Sequence, residues 1–386
     1  MNVQNQPKGS RERTLPEVKA EFMRRAGKLN PFEDIKPEDA ERVMAALKNL
    51  DRDHWAEEWS KIGLGYEAKG DAAAKAGAKG KDLAELYMHA FDACRVGRYP
   101  TPSSPGKLAA YHHSLRMFRK AAAHFDPKLE IIEVPFEGKT LVGYLQKPPG
   151  VIKPPVVMHW GGVDGWKEDR LKIARTAMDA GLASLTIDMP GSGENPVLYG
   201  DPAAERTFLT WLDYLPTRAD IDGRRGAVWG GSFGAYWAAR LAFTAADRIK
   251  GAVFHGGNVH YGFQREWLVP AFTTGGATYL FGAQSLLDAR GRAMGVKTIE
   301  EFLEVAPALS LKTMGLLDKK SAPLLGVNGK LDDQAPIADV YLLMEHGNPK
   351  SARVYPEGHH MGRTPGQHPD EIANTIVGWL KEQLTR

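Results

Sequence analysis

The sequence contains very little cysteine: Cys94 is the single one among 386 residues. One thiol excludes an internal disulfide and a cysteine-based zinc site, and its rarity fits a reducing compartment. Because Ala93 precedes it, a small buried apolar role is favoured for Cys94 over a reactive one.

The chain also lacks a strong charge imbalance and a long apolar run. Its 50 Lys and Arg against 47 Asp and Glu leave a net charge of +3, and these charges are dispersed. No surface that tracks nucleic-acid phosphates is therefore predicted. The polar start lacks the apolar core of a secretory signal, and no run approaches the roughly 18 apolar residues of a membrane span. We expect a cytoplasmic protein that binds neither nucleic acid nor membranes.

The pattern of apolar residues changes near residue 128. Before it, apolar residues recur at helical spacing in four segments: 37–49, 52–68, 81–96 and 105–124. The segment 70–82 has few bulky side chains and is expected to be a solvated connector. These patterns predict an all-α domain over residues 1–127.

After residue 128, short β-branched runs bounded by Gly or Pro alternate with helical stretches. The segments IIEVPFEG and TLVGYLQKP predict an antiparallel hairpin. The later strands should be parallel, because segments long enough for crossover helices separate them. A doubly wound, mostly parallel α/β sheet is thus predicted over residues 128–386. Residues 258–321 are longer than a crossover requires and predict a helical insertion over one end of the sheet.

The strongest local motif is Gly230-Gly231-Ser232-Phe233-Gly234, between the strand RGAVW and a helical stretch. A G-x-S-x-G at a strand-to-helix junction forces the serine into a sharp turn and exposes its hydroxyl. Ser232 is therefore the predicted nucleophile.

A serine hydroxyl needs a base and an orienting acid, which in this arrangement follow in the order Ser, Asp, His. The strand APLLGVNG is followed by Asp332 and Asp333, and the strand SARVYP by His359 and His360. Both loops should lie at the carboxyl edge of the sheet. We favour Asp332 as the acid and His360 as the base, with Asp333 and His359 as the alternatives.

An oxyanion hole requires backbone N–H groups near the nucleophile. Phe233 should supply one, and Val163 or Gly162, in the loop HWGGVDGWKED, should supply the other. Trp160 and Glu194 are further candidates to line a substrate pocket, although Glu194 also fits a solvated surface position.

Neither a cofactor nor a metal site is predicted. The turn DMPGSGE lacks the third glycine of a dinucleotide fingerprint, and Pro196 follows it. His112 and His113 are adjacent on a helix and point to different faces, which does not match zinc spacing.

Together these motifs resemble the α/β-hydrolase superfamily over about residues 128–386. The closer resemblance is to a subgroup that includes 2,6-dihydroxypseudooxynicotine hydrolase, the fermentation-respiration switch protein and fungal polyketide-shortening hydrolases. Its features are Trp55 and Trp59 in the helical domain, RYPTPSSPGKLAAY, VPFEGKTLVGYLQKP, the GGVDGWKE loop and the DMPGSGE turn. The resemblance implies a triad at Ser232, Asp332 and His360, and N-terminal helices that close over the active site as a lid.

The predicted function is a serine hydrolase that cleaves an ester with an apolar or aromatic group through an acyl-enzyme. One alternative is hydrolysis of a carbon–carbon bond in an aryl ketone or β-dicarbonyl. Another is a regulatory protein that keeps the fold to bind a partner. A small-molecule substrate is expected, and a homodimer is left open.

Overall fold

The computed structural model describes residues 12–29, 31–273, 279–346 and 350–385. They fall into two compact units: a first unit within Met1–Leu129 and Gly276–Ala289, and a second unit within Glu130–Gly275 and Arg290–Arg386. The described residues 279–289, part of the predicted insertion, thus belong to the first unit. No helix among the described residues combines the length and the apolar character needed to cross a membrane.

The first unit is built from helices. Those before residue 128 are α1 (Leu15–Arg25), α2 (Pro37–Ala46), α3 (Arg52–Lys75), α4 (Lys81–Gly97) and α5 (Pro105–Ala122). Aromatic side chains form their core: Trp55 and Trp59 are fully buried, and the ring of Phe22 lies 4.6 Å from that of Phe32. This unit therefore has a hydrophobic core of its own.

The prediction of a connector over 70–82 was wrong for its first half, because α3 continues to Lys75. Two cations on α5 hold this part of α3: Arg116 and Lys120 both donate to Glu67, and Lys120 also donates to Asp71. The hydrogen bond from Arg116 is the main cause that lowers the pKa of Glu67 to about 2. Helix-forming alanines at 72–74 complete the extension.

The second unit contains the predicted α/β sheet. Its eight strands, in spatial order β1-β2-β4-β3-β5-β6-β7-β8, are β1 (Leu129–Phe136), β2 (Lys139–Gln146), β3 (Pro155–Trp160), β4 (Ala183–Ile187), β5 (Asp222–Gly231), β6 (Ala252–His255), β7 (Leu324–Gly329) and β8 (Lys350–Tyr355). Strand β2 pairs antiparallel with β4, whereas all pairs from β4 through β8 are parallel. The mostly parallel sheet is therefore confirmed, and the carboxyl ends of its parallel strands share one edge.

The remaining helices follow the strands. They are α6 (Leu171–Asp179), α7 (Arg206–Tyr214), α8 (Ala235–Thr244), α9 (Arg265–Thr273), α10 (Ala283–Met294), α11 (Ile299–Val305), α12 (Ile337–Glu345) and α13 (Glu371–Thr385). Helices α9 to α11 lie in the predicted insertion between β6 and β7. Residues 274–278, part of the same prediction, lie outside the described residues.

A buried carboxylate anchors the start of this insertion. Asp339, on α12, accepts hydrogen bonds from four backbone N–H groups, those of residues 259–262, at 2.8 to 3.1 Å. Burial raises the pKa of Asp339 to about 6, although the four donors oppose that rise. The chain leaving β6 is thus held by one side chain from the next crossover helix.

Replacing this carboxylate should destabilise the second unit. Asp339→Ala leaves buried N–H groups without an acceptor, so we expect the free energy of unfolding to fall by at least about 2 kcal/mol. Tyr341→Ala, at an exposed position on the same helix, should change it by less than about 0.5 kcal/mol. Denaturant titration measures both, and equal effects of the two variants would contradict the anchoring role.

Candidate active site

Ser232 occupies a sharp turn between β5 and α8. Its φ of 54° lies in the left-handed region, which a residue with a side chain rarely adopts. The glycines around it permit close backbone approach, since a Cβ on Gly230 would collide with the carbonyl of Gly234, and one on Gly234 with the carbonyl of Gly161. The motif therefore folds as the expected elbow.

The structure brings Ser232, His360 and Asp332 together. Oγ of Ser232 lies 2.8 Å from Nε2 of His360, and Nδ1 of His360 lies 2.9 Å from Oδ2 of Asp332. His359 is exposed, and its backbone N–H donates to the carbonyl of Arg363. Of the two candidate bases and the two candidate acids, His360 and Asp332 are the ones in the hydrogen-bonded chain to the serine.

Asp332 is well placed to keep its negative charge. Its Oδ1 accepts hydrogen bonds from the backbone N–H groups of Gln334 and Ala335, at 2.8 and 3.1 Å. Burial acts to raise the pKa of Asp332, but the charge and hydrogen bond of His360, with the other donors, hold it below the usual value. A carboxylate therefore faces the Nδ1 side of the imidazole, which leaves Nε2 to accept the serine proton.

The predicted oxyanion loop lies beside the nucleophile. A Cβ on Gly162 would lie 2.9 Å from Cβ of Ser232 and 3.3 Å from the backbone nitrogen of Phe233. The carbonyl of Val163 accepts a hydrogen bond from the indole of Trp166 at 3.0 Å, which fixes the loop. The backbone of Gly162 and the backbone nitrogen of Phe233 thus lie close to Ser232.

The two predicted pocket residues have structural partners. Trp160 is fully buried, and its indole N–H donates to the carbonyl of Gly234 at 2.8 Å, so its ring supports the elbow. Glu194 lies 2.8 Å from the ammonium of Lys167. That fully buried ammonium also pairs with Asp188 and Glu168, at 2.7 and 2.8 Å. Burial is the main cause that raises the pKa of Glu168, and the charge of Lys167 opposes that rise.

This buried cluster joins two of the sequence motifs. The backbone N–H of Lys167, in the GGVDGWKE loop, donates to Oδ1 of Asp188 at 3.0 Å, and that of Glu194 donates to Oδ2 at 2.9 Å. Asp188 and Glu194 are the ends of the DMPGSGE turn. The loop beside Ser232 is therefore tied to the neighbouring turn by charged hydrogen bonds.

Sequence reasoning missed Asn328, a fully buried residue in β7. Its Oδ1 accepts the backbone N–H of Met361 at 3.1 Å, and its Nδ2 donates to the carbonyl of Ala335 at 3.2 Å. One amide side chain thus connects the loop that carries the acid with the loop that carries the imidazole.

His255, at the end of β6, supports the same histidine loop. Its ring lies 2.8 Å from the carbonyl of Met361 through Nε2, while Nδ1 lies 3.3 Å from the indole nitrogen of Trp229. Burial lowers the pKa of His255 to about 3, so the ring is neutral. The indole can only donate, which assigns the proton of His255 to Nε2, where it donates to Met361. Met361 itself has a φ of 63°, in the left-handed region.

Among the described residues, one group has the composition of a metal site: His54, Glu57 and Glu58 on α3. The ammonium of Lys61 already pairs with both carboxylates, at 3.0 and 2.7 Å. Lys61 therefore already provides the positive charge that these carboxylates would offer to a metal ion, so the residues are a poor fit to a metal site.

The sequence is similar to those of known esterases and hydrolases. A family model described as "Esterase FrsA-like" matches residues 42–356. An "Esterase FrsA" of Photobacterium profundum is 26% identical over 340 residues, which cover 86% of this chain and 77% of that protein. An "Alpha/beta hydrolase pydG" of Acremonium sp is 30% identical over 228 residues, 55% of this chain and 53% of the relative.

The fold also matches that of solved structures. The structure of 2,6-dihydroxy-pseudo-oxynicotine hydrolase superposes with a TM-score of 0.73 at 20% identity and covers 95% of both chains. This likeness establishes the α/β-hydrolase fold.

The link made by Asn328 can be tested by hydrogen exchange. Asn328→Leu keeps the volume but removes the hydrogen bonds, so the amide of Met361 should exchange at least about tenfold faster, as expected for one lost buried hydrogen bond. Asn374→Leu, at an exposed position on α13, is the matched control and should change nothing. Unchanged protection of residues 357–362 in Asn328→Leu would contradict the link.

Proposed function

Because this chain belongs to the FrsA-like esterase family, we propose that it is a serine hydrolase that cleaves a carboxylic ester through an acyl-enzyme. The observation that carries the proposal is the continuous hydrogen-bonded chain from Ser232 through His360 to Asp332, with distances of 2.8 and 2.9 Å. The strained backbone of Ser232 supports it, because such strain is typical of functional sites.

In this mechanism, Oγ of Ser232 attacks the ester carbonyl while Nε2 of His360 takes its proton. His360 then gives that proton to the departing alcohol, and Asp332 stabilises the imidazolium that forms in between. Water, deprotonated by the same imidazole, attacks the acyl-enzyme and releases the carboxylic acid. In this second half Oγ of Ser232 is the leaving group and takes back the proton from His360, while Asp332 again stabilises the imidazolium.

The negative charge that develops on the carbonyl oxygen needs nearby donors. We propose the backbone N–H of Phe233 as one donor and that of Val163 or Gly162 as the other. The short distances from Gly162 to Ser232 and to the backbone nitrogen of Phe233 support this choice.

The role of the first unit as a lid stays a prediction. It is supported by the family match, which spans residues 42–356 and so includes α3 to α5. The apolar or aromatic character of the substrate is likewise a proposal.

The proposed triad predicts a clear ranking of variants. A fluorophosphonate probe should label the protein at Ser232, and Ser232→Ala should lose the label and at least about a thousandfold in kcat. His360→Ala should behave like Ser232→Ala. His359→Ala, the matched control in the next position, should lose less than about tenfold, because that side chain is exposed.

Activity is measured on p-nitrophenyl esters of graded chain length beside aryl ketones. Cleavage of the ketones but not of the esters would replace ester hydrolysis with carbon–carbon hydrolysis. Absence of probe labelling at Ser232 would favour the regulatory alternative. Retention of more than a tenth of the activity in Ser232→Ala would refute the nucleophile.

The oxyanion loop offers a second pair of matched variants. Gly162→Ala would push a methyl group toward Ser232 and Phe233, so we expect kcat to fall at least about a hundredfold. In Gly165→Ala, in the same loop, the added methyl group meets no described atom within 4 Å, and kcat should stay within about threefold. Equal kcat values for the two variants would argue against the proposed donors.

A further inference from the structure

The first unit contains a cavity of about 240 Å³ that the proposed hydrolysis does not use. Leu50, Trp55 and Phe281 form its apolar wall, with the rings of Trp55 and Phe281 packed edge to face at 4.9 Å. Pockets for drug-sized ligands begin at roughly 300 Å³, so this one suits a smaller molecule, such as a single ring with one substituent.

A buried amine lies in this cavity. Lys107 is 2% exposed, and its Nζ donates to the carbonyl of Tyr99 at 2.7 Å. The same nitrogen lies 5.2 Å from the centre of the Phe281 ring. Among the described residues, the carbonyl of Tyr99 is the single acceptor within hydrogen-bond distance of this amine, which can donate three hydrogen bonds.

The surroundings of Lys107 disfavour its protonated form, which a further negative charge would stabilise. Burial, followed by the charge of Arg52, lowers the pKa of the amine to about 7, and Asp288 and Asp53 offset this only in part. A buried ammonium is stable only when it is paired and hydrogen-bonded. A ligand that brings a carboxylate to Nζ would supply both the charge and the acceptors.

Charged side chains of both signs line the cavity. They are the cations Arg13, Arg52 and Lys107 and the carboxylates Glu12 and Asp288. Arg52 and Asp288 already pair at 2.7 Å, and the guanidinium of Arg13 donates to backbone carbonyls of residues 279 and 280. Because Arg52 and Asp288 pair with each other, the amine of Lys107 is left with the carbonyl of Tyr99 as its acceptor, and a ligand carboxylate would add acceptors there.

We propose that this cavity is a binding site for a small aromatic carboxylate, whose ring packs against the apolar wall of Leu50, Trp55 and Phe281 and whose carboxylate accepts hydrogen bonds from Lys107. Above the pKa of about 7, where the free amine is mostly neutral, binding favours the ammonium and is accompanied by uptake of up to one proton per ligand. The site is independent of the proposed ester hydrolysis, because it uses none of the residues of the triad or the oxyanion loop.

Sodium benzoate is the probe for calorimetric titration of the full chain near pH 8. Protons taken up come from the buffer, so the apparent binding enthalpy should differ between phosphate and Tris by the difference in their ionisation enthalpies times the proton number. Benzyl alcohol, which has the ring but no charge, and acetate, which has the charge but no ring, should each bind at least tenfold more weakly. An enthalpy that is independent of the buffer would refute the proton uptake.

Variants locate the site within the chain. Lys107→Met, which keeps most of the side-chain volume, should weaken benzoate binding at least tenfold and abolish the proton uptake. Lys81→Met removes an exposed lysine of the same unit and should change neither. Unaltered benzoate affinity in folded Lys107→Met would overturn the proposal.

If Lys107→Met does not fold, a measurement on the wild-type protein tests whether benzoate binds at Lys107. Acetic anhydride labelling with mass spectrometry reports the reactivity of each lysine against pH. Benzoate should raise the apparent pKa of Lys107 by at least one unit and slow its acetylation at pH 8, while Lys81 is unaffected. Binding of benzoate without protection of Lys107, or no binding at about 20 mM, would refute the site.

Discussion

The close approach of backbone around Ser232 is the constraint on which the candidate active site depends. The serine lies in a left-handed conformation, and the strands and loops beside it come so near that side chains at Gly161, Gly162, Gly230 or Gly234 would collide with their neighbours. Packing from the elements around the elbow must offset this strain, and Trp160 contributes directly by holding the carbonyl of Gly234. The position of the hydroxyl therefore depends on the sheet edge as a whole, and not on the serine alone.

Around this elbow, the polar side chains form a second layer that fixes loops rather than contacting the serine hydroxyl. Asn328 and His255 hold Met361, next to His360, while Asp188 and Lys167 hold the loop that includes Gly162. All four lie at or near the carboxyl ends of parallel strands, where loops from different parts of the chain converge. Their burial makes these bonds strong, because water does not compete for the same donors and acceptors.

The sequence predicted those features of the fold and the site that depend on residues close together in the chain. The elbow, the order of acid and base and the parallel sheet followed from motifs and spacing, because each depends on a few neighbouring residues. Asn328 and His255 could not be found in this way, since their partners at Met361 are 33 and 106 residues away. Helix α1 was not predicted, because Thr14 and Glu17, which form its N-terminal cap, lie in a polar stretch and were not recognised as a helix start. The end of α3 was misplaced because the bonds of Glu67 and Asp71 with α5 outweigh the weak local pattern.

The anchoring of the insertion by Asp339 has a consequence for how this chain can vary. The carboxylate binds main-chain N–H groups, which every residue except proline provides. The hydrogen bonds from residues 259–262 to Asp339 therefore do not depend on the identity of the donors' side chains, and their acceptor lies outside the insertion. Substitutions at residues 259–261 other than to proline therefore leave the donors to Asp339 in place, whereas Leu280 and Phe281, farther along the insertion, are tied to the core of the first unit by their side chains.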